Sequence, residues 1–383
     1  MNKPTVQDIF RCFYSAYLEK YSPSPEQAKV ARNILNCKTG AYGANVSVCE
    51  DCGTVQIHYN SCRNRCCPMC QAVPKEMWMD ARREDVLDAP YFHLVFTVPD
   101  ILNPIIYNNQ KLLYDILYHA ASATISELTA DPKHLGADVG YICILHTWGS
   151  EMNFHPHIHT ILLGGGLTSK NEWKDNGTEF FLPIRAVSKS FRGKYIDELK
   201  HLWNTGQLEF HGTAEKYRNY YVFKDLLDSC YDTEWIPYCK KTFNGAGSVI
   251  DYLGKYTHRI AISNHRIICM DDENVAFSVK DYRNKGQWKE LTLSGVEFIR
   301  RFLMHVPPKR FVRIRHYGLL CSRSKHKKLT LCRNLLGCQK YLSKLRGKEI
   351  PEILKQLYEI NICVCKSCGG HLGKPQLRIP QRG

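Results

Sequence analysis

Acidic residues are absent from one long stretch of this sequence. Between Arg300 and Lys348 there are 15 Lys and Arg residues and no Asp or Glu. Subtracting these 15 from the 52 Lys and Arg of the chain leaves 37, which equals its 37 Asp and Glu, so the net charge of +15 comes from this acid-free block. A solvated basic face seldom runs so long without one acid, whereas neutralising a phosphate backbone requires such a run. We therefore expect nucleic acid as the partner.

Two other absences bear on where the protein is found. No apolar stretch reaches the length that a membrane span needs. The N-terminal segment MNKPTVQDIFRCFYSAYLEKY is charged and amphipathic and lacks the apolar run of a signal peptide, so we expect a cytoplasmic protein. Thiols stay reduced in the cytoplasm, and the 18 cysteines are therefore expected to be metal ligands or free thiols rather than disulfides.

The length and composition favour a folded protein of two or three domains. The chain has 383 residues, of which 44% are hydrophobic and 11% aromatic, enough to bury a substantial core. Apolar spacing and capping residues predict helices over 6–20, 25–36, 108–130 and, after a cap at Ser248, 249–259. Apolar runs bounded by glycine or proline predict strands over 91–99, 140–148 and 154–165, and a strand pair over 260–282.

A cysteine-rich segment begins at Cys49. The stretch CEDCGTVQIHYNSCRNRCCPMC contains Cys49-x-x-Cys52 and Cys67-x-x-Cys70, separated by fourteen residues. Two such turns at this spacing predict a tetrahedral zinc site with four thiolate ligands, although unligated thiols are the simpler alternative. Such a site is structural because all four ligand positions are filled, so it contributes folding energy and no chemistry.

Other cysteine and histidine residues leave alternatives open. His58, Cys62 and Cys66 could replace one of the four ligands or help to bind a second ion. A second, weaker pair, Cys365-x-x-Cys368, lies near the end of the sequence. Its partners could come from Cys321, Cys332, Cys338 or Cys363.

The segment NFHPHIHTILL (153–163) places His155, His157 and His159 at alternate positions of an apolar run. In a strand these three side chains point to one face. A single buried histidine is most often a satisfied core residue, but three in a row make a poor core because each ring needs a donor and an acceptor partner. The row therefore favours a metal site. Two imidazoles and one oxygen ligand would leave positions open for a substrate, as a catalytic ion requires.

The segment SVIDYLGKYTHRIAIS carries two tyrosines, Tyr252 and Tyr256, on one face of the predicted helix. An aromatic stripe packed in the core is the simplest explanation. Lys255, His258 and Arg259 lie close to the pair, however, and a phenol has an ordinary pKa of about 10. A nearby cation and a metal-polarised phosphate would make such a phenol a competent nucleophile.

These motifs resemble those of a known class of enzymes. FTVP (96–99), HIH (157–159) and YLGKY (252–256) match, in order, the three motifs of HUH endonucleases. A narrower group, the two-tyrosine rolling-circle transposases named for insertion sequence ninety-one, is similar in NSCRNRCCPMCQ, ILHTWGSEMNFHPHIH, YLGKYTHRIAISNHRI and RIRHYGLL. The resemblance runs from about Cys49 to Tyr317.

The resemblance implies a DNA transposase that cuts and transfers single strands. His157 and His159 would hold Mg²⁺ or Mn²⁺, which polarises the scissile phosphate of single-stranded DNA at the transposon ends and the target. Tyr252 or Tyr256 would attack that phosphate, leaving a 5′-phosphotyrosine and a free 3′-hydroxyl, and the other tyrosine would serve the second cleavage or the strand transfer. Lys255 would stabilise charge on the phosphate or on the leaving oxygen.

The resemblance also implies a fold of the α+β class. An HUH nuclease domain (86–285) would have a central antiparallel sheet flanked by helices, with the histidine strand near its centre and the tyrosine helix beside it. A cysteine-rich zinc-binding domain with N-terminal helices (1–85) would precede it, and a basic DNA-binding region (286–383) would follow. The protein would be found in the cytoplasm of a bacterium, in association with the nucleoid.

One cysteine departs from the group's patterns, and the third ligand of the nuclease metal is not specified by them. Cys66 occupies a position that is usually histidine in the pattern CRNRHCPxC, which changes the ligands available to zinc. For the third ligand of the nuclease metal, Glu151 is the carboxylate on offer, with His155 as its rival.

Three other functions are alternatives. A metal-dependent hydrolase barrel would need eight strand–helix units and further ligands on later strands, and the sequence offers neither. A zinc-dependent DNA-binding regulator without catalysis would not need the two histidines and two tyrosines together. A plasmid replication initiator or conjugative relaxase shares the nuclease chemistry, but the zinc segment and RIRHYGLL favour a transposase.

Overall fold

A computed structural model describes residues 3–175, 182–233, 235, 238–241, 249, 252, 254, 260–281 and 286–378. Its α-helices are α1 (Val6–Lys20), α2 (Pro25–Leu35), α3 (Ala72–Arg83), α4 (Asn103–Asn108), α5 (Gln110–Ala130), α6 (Ile184–Asn204), α7 (Tyr220–Asp232), α8 (Gly295–Met304), α9 (Lys325–Leu336) and α10 (Ile350–Tyr358). Its strands are β1 (Ala44–Val48), β2 (Val55–Tyr59), β3 (Tyr91–Thr97), β4 (Asp138–Trp148), β5 (Phe154–Leu167), β6 (Trp173–Asp175), β7 (Tyr238–Lys241), β8 (Ile267–Met270), β9 (Asn274–Asp281), β10 (Gln287–Ser294), β11 (Ile314–Gly318) and β12 (Gln376–Arg378).

The first two helices begin at the predicted residues because each has a capping box. The Thr5 side chain accepts a hydrogen bond from the backbone N–H of Asp8, whose own side chain accepts one from the backbone N–H of Thr5. Ser24 and Gln27 do the same at the start of α2, where Pro25 occupies the first helical position. These bonds satisfy donors that a helix start otherwise leaves free. Both helices pack on α8 in a core shared with the sheet β8–β9–β10.

The central sheet has the order β11-β4-β5-β3-β7, with β6 paired to β5, and its pairs are antiparallel. Alternate residues of each strand divide it into two faces. One face, which includes Ile158 and Leu162, packs on α5 and α6. The opposite face, which includes Ile144 and Ile161, packs on α3 and α9. The histidine strand β5 therefore lies between β4 and β3 with both faces covered.

The mixed architecture with antiparallel sheets confirms the predicted combination of helices and antiparallel strands. The strands predicted over 91–99, 140–148 and 154–165 correspond to β3, β4 and β5, and the predicted pair over 260–282 corresponds to β8 and β9. The Ser248 cap lies outside the described residues, as does most of 249–259, of which Val249, Tyr252 and Gly254 have helical conformation. In the part of the chain that is described, no helix is both long and apolar enough to cross a membrane.

The acid-free block folds against the rest of the protein. Its strand β11 pairs with β4 at the edge of the central sheet. Asp80 of α3 accepts a hydrogen bond from the Tyr341 hydroxyl at 2.6 Å and another from the backbone N–H of Leu345 at 2.9 Å. The division of the chain into 1–85, 86–285 and 286–383 stays a prediction, since these contacts join all three ranges.

A third, small sheet joins two distant parts of the sequence. Strand β1 pairs antiparallel with β2 on one side and with β12 on the other. Asn45 accordingly lies opposite both His58 and Leu377. The chain's last described strand is thus held against the cysteine-rich segment near its beginning.

Candidate metal and tyrosine site

Three histidines meet on one face of the central sheet. Strands β4 and β5 form a hairpin in whose register His146 lies directly opposite His157, and His159 follows two residues later on the same face. All three side chains are buried. One ring nitrogen of each lies within 4.8 Å of the others, so the three can serve as ligands of one ion.

His146 lies where a third metal ligand would be, the role for which the sequence suggested Glu151 or His155. The Glu151 carboxylate is half exposed and lies 3.2 Å from Nζ of Lys289. Nδ1 of His155 lies 3.1 Å from Oδ1 of Asp100. Neither belongs to the histidine group among the described residues. His146 was missed because pairing across the hairpin, rather than spacing along one strand, brings it to the site.

Burial keeps His157 and His159 neutral. It lowers the pKa of His157 to about 4 and lowers that of His159 well below its ordinary value, an effect to which the neighbouring imidazoles add. A neutral imidazole is the form that binds metal ions. Nδ1 of His157 donates to the carbonyl oxygen of His155 over 2.7 Å, which leaves the lone pair on Nε2.

The spacing of two of these nitrogens fits a shared ion. Two ligand atoms, each about 2.1 Å from an octahedral ion, are about 3.0 Å apart when they occupy adjacent positions. Nε2 of His157 lies 3.1 Å from Nε2 of His159. Three nitrogen donors suit Mn²⁺ better than Mg²⁺, which prefers oxygen ligands, and the remaining positions would be open to water or phosphate.

Tyr252 reaches the histidine group through His93 of β3. The phenol oxygen lies 2.7 Å from Nε2 and 3.0 Å from Nδ1 of His93, and Nε2 of His93 lies 2.9 Å from Nδ1 of His159. Burial lowers the pKa of His93 to about 4, so this ring is also neutral. The sequence singled out β3 for its apolar run and gave no signal for His93. Its place follows from the β3–β5 pairing, which sets it opposite Ile161.

Tyr252 and Gly254 pack closely on α3. A Cβ at position 254 would lie 2.2 Å from Sδ of Met79, so Gly254 permits this approach. Tyr252 is half-buried against the cluster that contains Met79, so its ring has a packing role as well as a hydrogen bond. The other two predicted catalytic residues, Tyr256 and Lys255, lie outside the described residues.

The cysteines form two clusters. The pairs Cys49/Cys52 and Cys67/Cys70, which were predicted to bind one zinc ion together, lie in different clusters. Cys67 and Cys70 lie with Cys37 and Cys62, whereas Cys49 and Cys52 lie with Cys365 and Cys368. The predicted grouping of the first and second pairs in one site is therefore wrong. The physical reason is the hairpin of β1 and β2: the first pair lies at its tip, and β2 then carries the chain about 16 Å away before the second pair.

The cluster of Cys37, Cys62, Cys67 and Cys70 ties the end of α2 to the segment before α3. The sulfur atoms of Cys62 and Cys70 are 3.8 Å apart. Cys66 lies outside this cluster in the core around α1 and α2, where burial raises the pKa of its thiol. Of the three alternatives from the sequence, Cys62 thus joins a cluster, while His58 and Cys66 do not.

Comparisons with known proteins identify the family of this chain. The family models "Transposase zinc-binding domain" and "Putative transposase" match residues 9–98 and 140–328. "Putative transposase y4qJ" of Sinorhizobium fredii is 41% identical over 87% of this chain and 84% of its own length. "Transposase for insertion sequence element IS801" of Pseudomonas savastanoi pv. phaseolicola is 30% identical over 78% of this chain and 71% of its own length. No solved structure matches the chain. The chain therefore belongs to the IS91 family of transposases, proteins that act on DNA, and has the family's N-terminal zinc-binding domain.

Proposed function

We propose that this transposase moves DNA by rolling-circle transposition, using an HUH nuclease site that cuts a single strand through a phosphotyrosine intermediate. The observation that carries the proposal is the series of close contacts from the Tyr252 oxygen through His93 to His159, whose Nε2 lies 3.1 Å from Nε2 of His157. It links a phenol to a set of metal-binding nitrogens through one imidazole. Packing alone would not favour so many polar rings on a buried sheet face.

His146, His157 and His159 would hold the metal ion of this site, and their nitrogen donors favour Mn²⁺ over Mg²⁺. When bound, the ion would polarise an oxygen of the scissile phosphate. The bond from Nδ1 of His157 to the His155 carbonyl fixes the ring with Nε2 toward the site. The low pKa of His157, about 4, keeps its lone pair available at neutral pH.

His93 would place a hydrogen bond on the attacking oxygen. With Nε2 of His159 serving as a ligand, the proton of that neutral ring is on Nδ1, which donates to Nε2 of His93 across 2.9 Å. The proton of His93 is then on Nδ1, which lies 3.0 Å from the Tyr252 oxygen. A donor in this position stabilises the phenolate, the form that attacks phosphorus.

The reaction exchanges one phosphoester for another. The Tyr252 oxygen gives its proton to water and forms a bond to phosphorus, the bond from phosphorus to the 3′-oxygen breaks, and the 3′-oxygen takes a proton from water and leaves as a hydroxyl. The 5′-phosphate stays on the tyrosine, so the bond energy is kept for strand transfer. Tyr256 would act in the second transfer, and Lys255 would stabilise charge on the phosphate.

The acid-free block would bind the phosphate backbone near this site. Strand β11 belongs to the block and adjoins β4, which carries His146. Positive charge at that edge of the sheet would attract the strand to be cut. Single-stranded DNA is the expected substrate because the scissile phosphate must reach a site within a packed sheet face.

A covalent-capture experiment tests the proposal. Single-stranded oligonucleotides from the DNA flanking the gene are incubated with protein and Mn²⁺, and a protein–DNA band that survives denaturation is sought. We expect the band to be lost in the double variant Tyr252→Phe, Tyr256→Phe, and to persist in Tyr221→Phe, a matched control whose ring is 74% exposed on α7. Tight DNA binding without any covalent band on either strand would overturn the nuclease assignment in favour of a catalytically silent DNA-binding regulator.

A further inference from the structure

We propose that the protein binds a second structural zinc ion through Cys49, Cys52, Cys365 and Cys368, and that this ion fastens the C-terminal segment to the N-terminal zinc-binding domain. The family model for that domain ends at residue 98, so the second pair lies outside it. The site joins cysteines that are 313 positions apart, with Sγ of Cys52 at 3.8 Å from Sγ of Cys365. This site is independent of the proposed nuclease chemistry.

The sulfur positions suit one tetrahedral ion. With Zn–S bonds of about 2.3 Å, sulfur ligands of a tetrahedral ion lie about 3.8 Å apart. The Cys49–Cys368 and Cys52–Cys365 sulfur pairs are 3.5 and 3.8 Å apart, and all four sulfurs lie within 4.8 Å of one another. A disulfide would need sulfurs about 2.05 Å apart, and all four are free thiols.

Both pairs are held on turns of the same construction. The glycine after each pair, Gly53 or Gly369, has a positive φ of 69° or 79°, which glycine adopts without strain. The N–H of each glycine donates to the carbonyl of the first cysteine of its own pair, at 3.0 and 2.9 Å. In the second turn two backbone N–H groups donate to cysteine sulfurs over 3.4 Å. Such bonds favour the thiolate, the form that binds zinc.

Backbone pairing closes the two turns around the cluster. Strand β12 pairs with β1, Cys49 forms an isolated bridge with Leu372, and the N–H of Gly373 donates to the carbonyl of Val48 at 2.9 Å. The apolar cluster at this point consists of Cys49, Cys365 and Leu372. So small a core contributes little apolar burial, and a metal ion is the expected source of stability for a unit of this kind.

The proposed ion has a consequence for the acid-free block. The chain between Cys52 and Cys365 becomes a closed loop, and the block, Arg300–Lys348, lies within it. Strand β11 within the block pairs with the central sheet, and β12, which follows the block, pairs with the small sheet. The ion would thus add an attachment on the C-terminal side of the block.

Metal content of the full-length protein tests the proposal. We expect Cys365→Ser combined with Cys368→Ser to lose one equivalent of zinc relative to the unmodified chain. The matched control is Cys363→Ser, since Cys363 is exposed and lies outside both clusters; it should lose none. In cobalt-substituted protein the sulfur-to-cobalt absorption should fall by about half in the double variant, because each of two sites has four thiolates. Cobalt at the histidine site does not contribute to that absorption.

A conservative variant separates ligand loss from misfolding. Cys368→His keeps three thiolates and adds a nitrogen ligand, so it should retain the equivalent of zinc that the double serine variant loses. A double serine variant that keeps all of the zinc would overturn the proposal. So would iron in place of zinc, or a disulfide found by thiol titration of the denatured protein. Strand cleavage is not a readout here, so failure of the nuclease assignment leaves this test unaffected.

Discussion

Replacing His146 with alanine should weaken Mn²⁺ binding at the proposed nuclease site by at least about 100-fold. The ring supplies one of three nitrogens that lie within 4.8 Å of one another. A group that merely orients a ligand contributes about 10–100-fold to metal affinity, so a direct ligand should contribute at least the upper value. A change of about 100-fold corresponds to about 2.7 kcal/mol of binding free energy.

The matched control is Glu151→Ala, because Glu151 was the carboxylate that the sequence offered as a third ligand, with His155 as its rival. Its side chain is 45% exposed and its carboxylate lies 3.2 Å from Nζ of Lys289, so its removal should change Mn²⁺ affinity by less than about threefold. Free Mn²⁺ is followed by its electron paramagnetic resonance signal during a titration, and thermal unfolding without Mn²⁺ shows whether each variant folds. A loss of affinity in Glu151→Ala that equals the loss in His146→Ala would refute the assignment, as would full affinity in a folded His146→Ala protein.

Three further predictions follow from buried polar groups. His93→Ala should slow formation of the covalent DNA complex by about 100-fold while DNA affinity is kept, and an equal fall in both would show that the residue is structural. Asp80→Ala should lower the free energy of unfolding by about 2–3 kcal/mol in denaturant titrations, because it breaks three hydrogen bonds from the segment 341–345, donated by Tyr341, Ser343 and Leu345. Burial lowers the pKa of His305 from 6.5 to about 4. As the pH falls through this window, the His305 imidazole of the unfolded chain is protonated while that of the folded protein stays neutral. The free energy of unfolding therefore falls by up to about 1.4 kcal/mol per pH unit for this group. His305→Gln should reduce the pH dependence of the denaturation midpoint between pH 6.5 and 4 by the share of this one group, and an unchanged slope would contradict the assignment.

Features set by local chemistry could be predicted from the sequence. Helices α1 and α2 begin where their capping boxes and Pro25 indicate, and the alternating apolar pattern of β5 identifies it as a strand. The same alternation sets His157 and His159 on one face. His93 and His146 could not be predicted as site residues because each is a single histidine in its own strand. They reach the site through the registers of β3 and β4 on β5, and these registers are set by how two long apolar strands pack on helices from other parts of the chain.

The cysteines show why spacing alone selected the wrong ligands. Each Cys-x-x-Cys turn supplies two ligands on a tight loop, and fourteen residues are enough to bring two such turns together when the intervening chain is irregular. Here the intervening chain begins with β2, which the β1 pairing makes extended, so the two turns are carried apart. Each pair then finds its partners elsewhere: Cys67 and Cys70 beside the end of α2, and Cys49 and Cys52 beside the segment before β12. A Cys-x-x-Cys pair in a sequence therefore predicts half of a site, and for Cys49 and Cys52 the pairing of β1 with β12 decides which other half completes it.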